Sequence, residues 1–181
     1  LTSSGGSIDG TGGWAVALSG GAATVGDLAV VGSGSAGYDA SAGTLVINGG
    51  SVTGTLGPAV NVSGSAAVEV NDLAISEPST SGLALSGGTL AVTAGSVTGA
   101  GEVGVAANAG TLSLAGTEVS GSTGHGVTLE GSVLASIAGA ELLDNGGFGL
   151  RCDGGASDPN SSTVTLSPCI AVVAGNASGD F

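Results

Sequence analysis

The 181-residue sequence contains no lysine, no methionine and no glutamine, and its only basic side chain is that of Arg151. Against it stand 14 acidic residues, which give a formal net charge of −13. Binding to nucleic acid or to an anionic membrane surface requires clusters of cationic side chains, so this charge balance argues against both partners. Long apolar runs are also missing, and none approaches the roughly 18 residues that a membrane-spanning helix needs. We therefore expect no nucleic-acid partner and no membrane insertion.

The sequence is also poor in charged residues as a whole, at 8%, whereas 41% of its residues are hydrophobic. Disordered chains combine low hydrophobicity with high charge, so this composition indicates a folded protein in spite of its 38 glycines. Small and β-branched residues predominate, which favours strands and tight turns. An acidic chain without lysine is typical of a secreted or cell-surface protein, and we expect a bacterial one. Because it opens on Leu1 without a methionine or a signal sequence, we expect a processed or excised segment.

A repeat of about 22 residues runs through the chain. The segment GTLVINGGSVTG at 43–54 returns as GTLAVTAGSVTG at 88–99 and as GTLSLAGTEVSG at 110–121. Each unit begins with a corner residue, followed by a small residue and an apolar one. The predicted starts are Trp14, Tyr38, Pro58, Ser81, Val103, His125 and Phe148, at spacings of 24, 20, 23, 22, 22 and 23 residues.

Alignment of the units predicts four columns of inward-facing apolar residues. The first is Val16, Ala40, Val60, Leu83, Val105, Val127 and Leu150, and the second is Leu18, Val62, Leu85, Ala107, Leu129 and Cys152. The third is Val25, Ile47, Val70, Val92, Leu114, Ile137 and Leu166, and the fourth is Val30, Val52, Ile75, Val97, Val119 and Leu142. The residues between columns are small or polar, as strands with one buried face require.

No unit can bury its apolar face alone, but units stacked in parallel at about 4.8 Å per coil share one core. The sequence therefore predicts an all-β fold, a single-stranded right-handed parallel β-helix (β-solenoid) with about seven coils of 20–24 residues. Its handedness follows from the general preference of parallel crossover connections. We expect one domain over 1–181, with a partial coil at 1–13, regular coils over 14–148 and a final coil, extended by a loop, at 149–181.

The segments STGHGVTLEG at 122–131 and NGGFGL at 145–150 resemble the short repeat of the right-handed parallel β-helix superfamily. That superfamily includes pectate-lyase-like enzymes, autotransporter passengers and many bacterial surface proteins. The resemblance covers essentially the whole chain and implies the fold, but it says little about activity because one fold hosts many functions.

The two ends of the chain are predicted to be open coils, with Leu1, Ser3 and Ile8 at one end and Val172 and Phe181 at the other. Natural solenoids normally cap their terminal coils. One interpretation is that this chain is a piece of a longer β-helix. The other is that the open ends stack head to tail into a fibre.

Candidate catalytic residues are few. Glu118 and Glu141 align on adjacent coils, Asp27 and Asp72 occupy near-equivalent positions two coils apart, and His125 is the only histidine. Two close carboxylates could serve acid–base chemistry, but no third acid or histidine joins the Glu118 pair. An exposed charged column and a stacked or solvent-facing corner residue are the interpretations we favour. We therefore predict no catalytic residue.

One irregular loop interrupts the repeat after Cys152. Its Asp153, Asp158 and Asn160 carry oxygen ligands that calcium accepts, and a polar turn without metal is the alternative. No other cofactor is predicted. The only other cysteine is Cys169, and two cysteines in an exported chain favour a disulfide. Two free thiols are the alternative.

Three functions are compatible with these features. We expect a non-enzymatic extracellular structural protein, a rigid rod that associates with itself end to end as a fibre subunit or surface stalk. A fragment of an adhesin or autotransporter-like passenger that binds a cell-surface polymer or glycan comes second. A polysaccharide-active enzyme comes third. Lyases of the superfamily that the repeat resembles use a basic residue, and this chain offers only Arg151.

Overall fold

The computed structural model describes residues 1–153, 163–166 and 172–174. Over these residues the chain consists of β-strands and turns, without a helix. Every strand pair is parallel and joins one coil to the next. The protein is an all-β parallel β-solenoid of about seven turns, which confirms the fold class predicted from the repeat.

Two sheets run along the solenoid, one of ten strands (sheet A) and one of eight (sheet B). Sheet A contains β1 (Thr2–Ser4), β3 (Val16–Gly26), β5 (Tyr38–Asn48), β7 (Val60–Val62), β8 (Ala67–Asn71), β10 (Leu83–Thr93), β12 (Val105–Ala115), β14 (Val127–Ala138), β16 (Leu150–Asp153) and β17 (Thr163–Leu166). Sheet B contains β2 (Ser7–Asp9), β4 (Ala29–Val31), β6 (Ser51–Thr53), β9 (Ala74–Ser76), β11 (Ser96–Thr98), β13 (Glu118–Ser120), β15 (Glu141–Leu143) and β18 (Val172–Ala174).

The coils have a nearly constant length. Ser7 pairs with Ala29, Ala29 with Ser51 and Ser51 with Ala74, so one coil takes 22 or 23 residues. The final coil is longer, because Glu141 pairs with Val172. The final coil therefore contains more residues than the regular ones, as predicted.

The long strands of sheet A continue through a glycine-containing bulge. In β10 the register against β12 shifts between Leu85 and Thr89, and in β12 it shifts against β14 between Ala107 and Ala109. A bulge bends a strand without ending it. Each long strand therefore continues in sheet A through the bulge, and the short strand of sheet B follows it in the same coil.

Two corners of every coil require a left-handed backbone conformation. The first is occupied by Gly5, Asp27, Gly49, Asp72, Ala94, Gly116 and Gly139, and the second by Gly10, Gly32, Gly54, Glu77, Gly99, Gly121 and Asp144, all with φ between 49° and 69°. Glycine adopts this region without the steric penalty of a Cβ, and aspartate tolerates it better than most residues. The turn geometry therefore explains the glycines and the three aspartates at these corners, whereas Glu77 and Ala94 adopt the same conformation without that preference.

The core consists of side chains stacked from coil to coil. The third and fourth predicted columns are confirmed through their strand registers, which pair Val25 with Ile47 and Val30 with Val52 and continue along both sheets. A further inward column, which the alignment did not single out, runs through Ala23, Leu45, Val68, Leu90, Leu112 and Ala135.

The first column was predicted wrongly in the second coil. Tyr38, not Ala40, pairs with both Val16 and Val60, while Ala40 pairs with Leu18 and Val62 and so belongs to the second column. Tyr38 is consequently a fully buried core residue and not a corner residue. The misplacement arose because a shift of two residues along a strand keeps the same side chains inward. With Ala36 at the corner instead of Tyr38, the uneven spacings of 24 and 20 disappear.

Candidate functional site

A shallow groove of about 210 Å³ lies on the outer surface of sheet A. Its floor is formed by Ala84 and Ala106, neighbours in one outward-facing column that continues to Thr128 and Arg151. On the other side of Ala84 this column continues to Asn61. Since two alanines stand between longer side chains, the surface is depressed at this point.

Mostly polar side chains border this groove on both sides. One border consists of residues that precede the strands, namely Ser81, Glu102 and Val103. The other consists of residues that follow the column of Ala84, Ala106 and Thr128 along the chain, namely Ser86, Asn108 and Glu130. A strand rises about 3.3 Å per residue, so the six-residue step from Glu102 to Asn108 gives the groove an elongated floor. Both glutamates are exposed at its rim.

Thr128 closes the end of the floor next to Arg151. It is 94% buried, with a relative exposure of 6%, although its position faces outward, and its Oγ1 atom has no hydrogen-bond partner. A buried hydroxyl without a partner carries a free-energy cost of about 1–3 kcal/mol.

His125 lies one coil before Phe148, and their rings stack with centroids 5.5 Å apart. The backbone N–H of Phe148 donates to Nδ1 of His125 over 2.8 Å, so Nδ1 carries no proton and Nε2 does in the neutral ring. The predicted role as a stacked corner residue is confirmed. The ring thus links two coils at their corner.

Arg151 lies next to this corner. Its guanidinium forms an ion pair with Asp153, and its Nη1 atom lies 3.2 Å from Nε2 of His125. Because Nε2 carries the proton and guanidinium is only a donor, the Arg151–Asp153 pair is the attractive contact here. The single basic side chain is thus occupied by a carboxylate.

Glu118 and Glu141 are in register on adjacent strands, as predicted. Glu118 accepts a hydrogen bond of 2.7 Å from the Ser120 hydroxyl, and Glu141 is exposed. In the part of the chain that the structure describes, no group of three or more histidine, cysteine, aspartate or glutamate side chains is arranged to hold a metal ion. The pair is therefore a charged column on the outer face of sheet B.

Asp27 and Asp72 occupy equivalent positions two coils apart, as predicted, at the first left-handed corner. Their φ angles of 49° and 55° show that the backbone of the turn determines their position. They are separated by Gly49 in the intervening coil, so the two carboxylates do not form an adjacent pair.

Of the calcium candidates, Asp153 pairs with Arg151, while Asp158 and Asn160 lie outside the described residues. The predicted disulfide between Cys152 and Cys169 also involves a residue outside the described part of the chain, namely Cys169. Cys152 is a free and exposed thiol in the structure, although its strand position continues the second column. Partial burial raises the pKa of the Cys152 thiol, and the Asp153 carboxylate raises it further by a smaller amount. The structure thus gives the disulfide no support.

In the partial coil at residues 1–13, Leu1 is 89% exposed and Ile8 is half-buried against the core. Ser3 pairs with Val25 at the edge of sheet A, where β1 has a strand neighbour on one side only. At the other end the predicted Val172 pairs with Glu141 and so lies in β18, the last strand of sheet B. Phe181 lies outside the described residues.

No protein-family model, curated protein or solved structure matches this chain. Among the described residues there is also no helix that could cross a membrane by its length and apolar character. The groove itself was missed by the sequence alignment. The signal that could have revealed it is the pair of outward alanines at equivalent positions of successive units, flanked by Glu102 and followed by Glu130.

Proposed function

We propose that this protein is a non-enzymatic extracellular structural element, a rigid β-solenoid rod. The observation that carries the proposal is the fourth core column, which runs from Ile8 to Leu142 through successive coils of sheet B. Each coil is held to the next by strand hydrogen bonds and by stacked apolar side chains. Such a solenoid is stiff along its axis because every repeat contacts its neighbours.

The proposed mode of assembly is end-to-end stacking of copies. The strands β1 and β2 each have a neighbour on one side, with β3 and β4, so their outer edges can accept a parallel strand. Leu1 and Trp14 expose 89% and 57% of their surface beside this edge. A second copy that placed its final coil here would cover both, and repetition of a head-to-tail contact that does not close gives a fibre.

Electron microscopy and sedimentation of the purified chain at rising concentration test this assembly. Ile8→Asp would put an unpaired charge into the edge column and is expected to abolish fibres. Ala74→Asp adds the same charge on an exposed, outward-facing position of an interior coil and serves as the control. Monodisperse particles at every concentration, or equal loss of fibres in both variants, would contradict the proposal.

Fibre growth is expected to depend on ionic conditions. The net charge of −13 opposes the approach of two copies at low salt, whereas salt screens this repulsion over about 10 Å at 0.1 M. Added salt or calcium should therefore speed assembly. An assembly rate that does not respond to either would remove the electrostatic part of this proposal.

A binding module, such as a fragment of a surface adhesin that recognises a glycan or host surface, is the second candidate. The groove on sheet A supports it, as does the resemblance of the repeat to the right-handed parallel β-helix superfamily. The side chains that line the groove include no aromatic ring. Glycan-binding sites often use an aromatic ring as a platform for the sugar. A glycan array distinguishes the two functions, since a rod without a ligand gives no selective signal.

The pairing of Cys152 with Cys169 accompanies the extracellular proposal, since exported proteins with two cysteines commonly form a disulfide. Alkylation of the native, unreduced protein followed by mass spectrometry tests it. A disulfide leaves both residues unlabelled until reduction, whereas a label on Cys152 without reduction would exclude the pair.

A further inference from the structure

We propose that His125 forms a pH-sensitive latch between its own coil and the final coil, which begins at Phe148. The latch consists of the His125 ring, the backbone N–H of Phe148 and the guanidinium of Arg151. It holds the two coils together while the ring is neutral and loosens their junction when the ring gains a second proton. This inference is independent of the rod proposal, because it concerns a junction within one chain and not a contact between copies.

The first contact of the latch requires a neutral ring. Nδ1 of His125 accepts a hydrogen bond of 2.8 Å from the backbone N–H of Phe148. A neutral imidazole keeps one nitrogen as an acceptor, whereas both nitrogens of an imidazolium are donors. The second proton would therefore sit on Nδ1 and point at an N–H group. Protonation turns this attractive contact between the coils into a repulsive one.

The second contact acts in the same direction. Nη1 of Arg151, in the strand that follows Phe148, lies 3.2 Å from Nε2 of His125. A neutral ring brings no net charge to this guanidinium, but an imidazolium would place a second positive charge beside it. Like charges at such a distance repel each other. Both contacts with the final coil therefore weaken when the ring is protonated.

The other titratable groups at this corner do not offer the charged ring a direct partner. Asp153 is held by the Arg151 guanidinium, and Glu130 lies in register with Asp153. Glu102 belongs to the previous coil and is exposed. Across the described part of the chain, no carboxylate lies within ion-pair distance of the ring. The Cys152 thiol remains uncharged near neutral pH, because burial and then the Asp153 carboxylate raise its pKa.

The packing of the ring couples its charge to the corner. It stacks on the Phe148 ring at an interplanar angle of 16°, and a Cβ at Gly147 would collide with Nδ1. A charged ring that moves away from the Phe148 N–H therefore also leaves this stack. The N–H groups of Gly126 and Val127 donate to the carbonyls of Phe148 and Gly149 over 2.9 and 2.8 Å, and these bonds carry no titratable group. The loosening is therefore local to the junction.

Amide hydrogen exchange of the full chain, followed by NMR at about pH 7.5 and about pH 5.5, tests the latch. Histidine ordinarily gains its second proton at about pH 6.5 and carboxylates theirs at about pH 4, so this range selects the imidazole. His125 is the only histidine of the chain, so its ring signal is unambiguous. The protection factor of the Phe148 amide should fall about tenfold relative to that of Val105, over the range in which the ring signal titrates.

Two substitutions separate the acceptor from the charge. His125→Asn offers an amide oxygen to the Phe148 N–H but takes up no proton, so the protection of this amide should change less than about twofold between the two pH values. His125→Phe keeps an aromatic ring for the stack but has no acceptor, so the protection should be low at both. Circular dichroism checks that the strands of both variants remain.

Three results would overturn the proposal. The first is a Phe148 protection factor in the wild type that is the same at both pH values. The second is a fall in His125→Asn as large as in the wild type, which would assign the pH effect to another group. The third is full protection in His125→Phe at about pH 7.5, which would show that the hydrogen bond to Nδ1 does not hold the junction.

Discussion

The first complete coil and the middle coils share one sequence pattern but differ in burial. In β3 of the first coil, Val16 and Leu18 are only half-buried, whereas their equivalents Leu83 and Leu85 in β10 are almost inaccessible. The difference comes from their neighbours, since β10 lies between β7 and β12 along its first half. In this half of β3 the strand has its partner β5 on one side. In a solenoid, the depth to which an apolar residue is buried depends on the presence of coils on both sides of it.

The largest expected effect is a difference in stability between the same leucine-to-alanine substitution in a middle coil and in the first complete coil. Leu85→Ala removes a side chain that is 2% exposed and should lower the free energy of unfolding by about 3 kcal/mol. Leu18→Ala, in the same column of the half-buried first coil, should cost about 1 kcal/mol, because less apolar surface is buried there. Urea unfolding followed by circular dichroism measures both. Equal losses would contradict the view that neighbouring coils determine burial.

The second expected effect appears at alkaline pH and concerns the core near the first coil. Burial raises the pKa of Tyr38 to about 12. Because this pKa lies above that of an unfolded tyrosine, the unfolded chain loses its proton first. Stability is therefore complete below pH 10 and falls between pH 10 and 12, by about 2 kcal/mol.

The control for this pH effect is Tyr38→Phe, which has no proton to lose. Tyr38 is the only tyrosine of the chain, so the variant should show a flatter stability curve above pH 10. A wild-type curve that is equally flat in this range would show that Tyr38 is accessible to solvent. Urea midpoints across the alkaline range give the answer.

A smaller effect is expected at the second left-handed corner, again with one position in each region. Gly54 and Gly10 both have φ of 63° and open space where a Cβ would be placed. Gly54→Ala should cost about 1 kcal/mol through backbone strain alone, since no contact is disturbed. Gly10→Ala should cost less in global stability, because the first coil opens more easily than the middle ones. Hydrogen exchange of the flanking amides distinguishes local from global opening.

The smallest effect is expected from the buried hydroxyl of Tyr38 at neutral pH. Its Oη atom has no hydrogen-bond partner in the structure, and the residue is fully buried. Tyr38→Phe removes this unpaired group and should raise the stability by about 0.5–1 kcal/mol. A rise of a few degrees in the thermal midpoint is the expected readout. A loss of stability would reveal a partner for the hydroxyl.

Much of the fold could be predicted because the repeat encodes it locally. The third and fourth columns are strictly periodic, so the registers of Val25 with Ile47 and of Val30 with Val52 followed from the alignment. The second coil could not be aligned with equal certainty. Tyr38 and Ala40 both face inward, and the backbone hydrogen bonds of Gly37 to Pro58 and of Tyr38 to Ala59 show which one begins the strand.

The candidate site was less accessible to sequence reasoning than the fold. His125 could be assigned to a corner from its column, but its contacts with Phe148 and Arg151 depend on the distance between two coils. The groove depends on height differences between stacked side chains, and Ala84 and Ala106 look like ordinary outward-facing residues in the sequence. The predicted stacking of Glu118 on Glu141 succeeded because register alone determines it.

The sequence by itself determined the period, the inward faces and the left-handed corners, because each depends on residues within one coil. The tertiary structure decided how deeply each residue is buried, where the surface is depressed and which charges remain unpaired. These properties arise between coils, where a side chain meets residues that lie about 22 positions away in the chain. Their common physical cause is that a parallel strand obtains both its hydrogen bonds and its apolar cover from its neighbours.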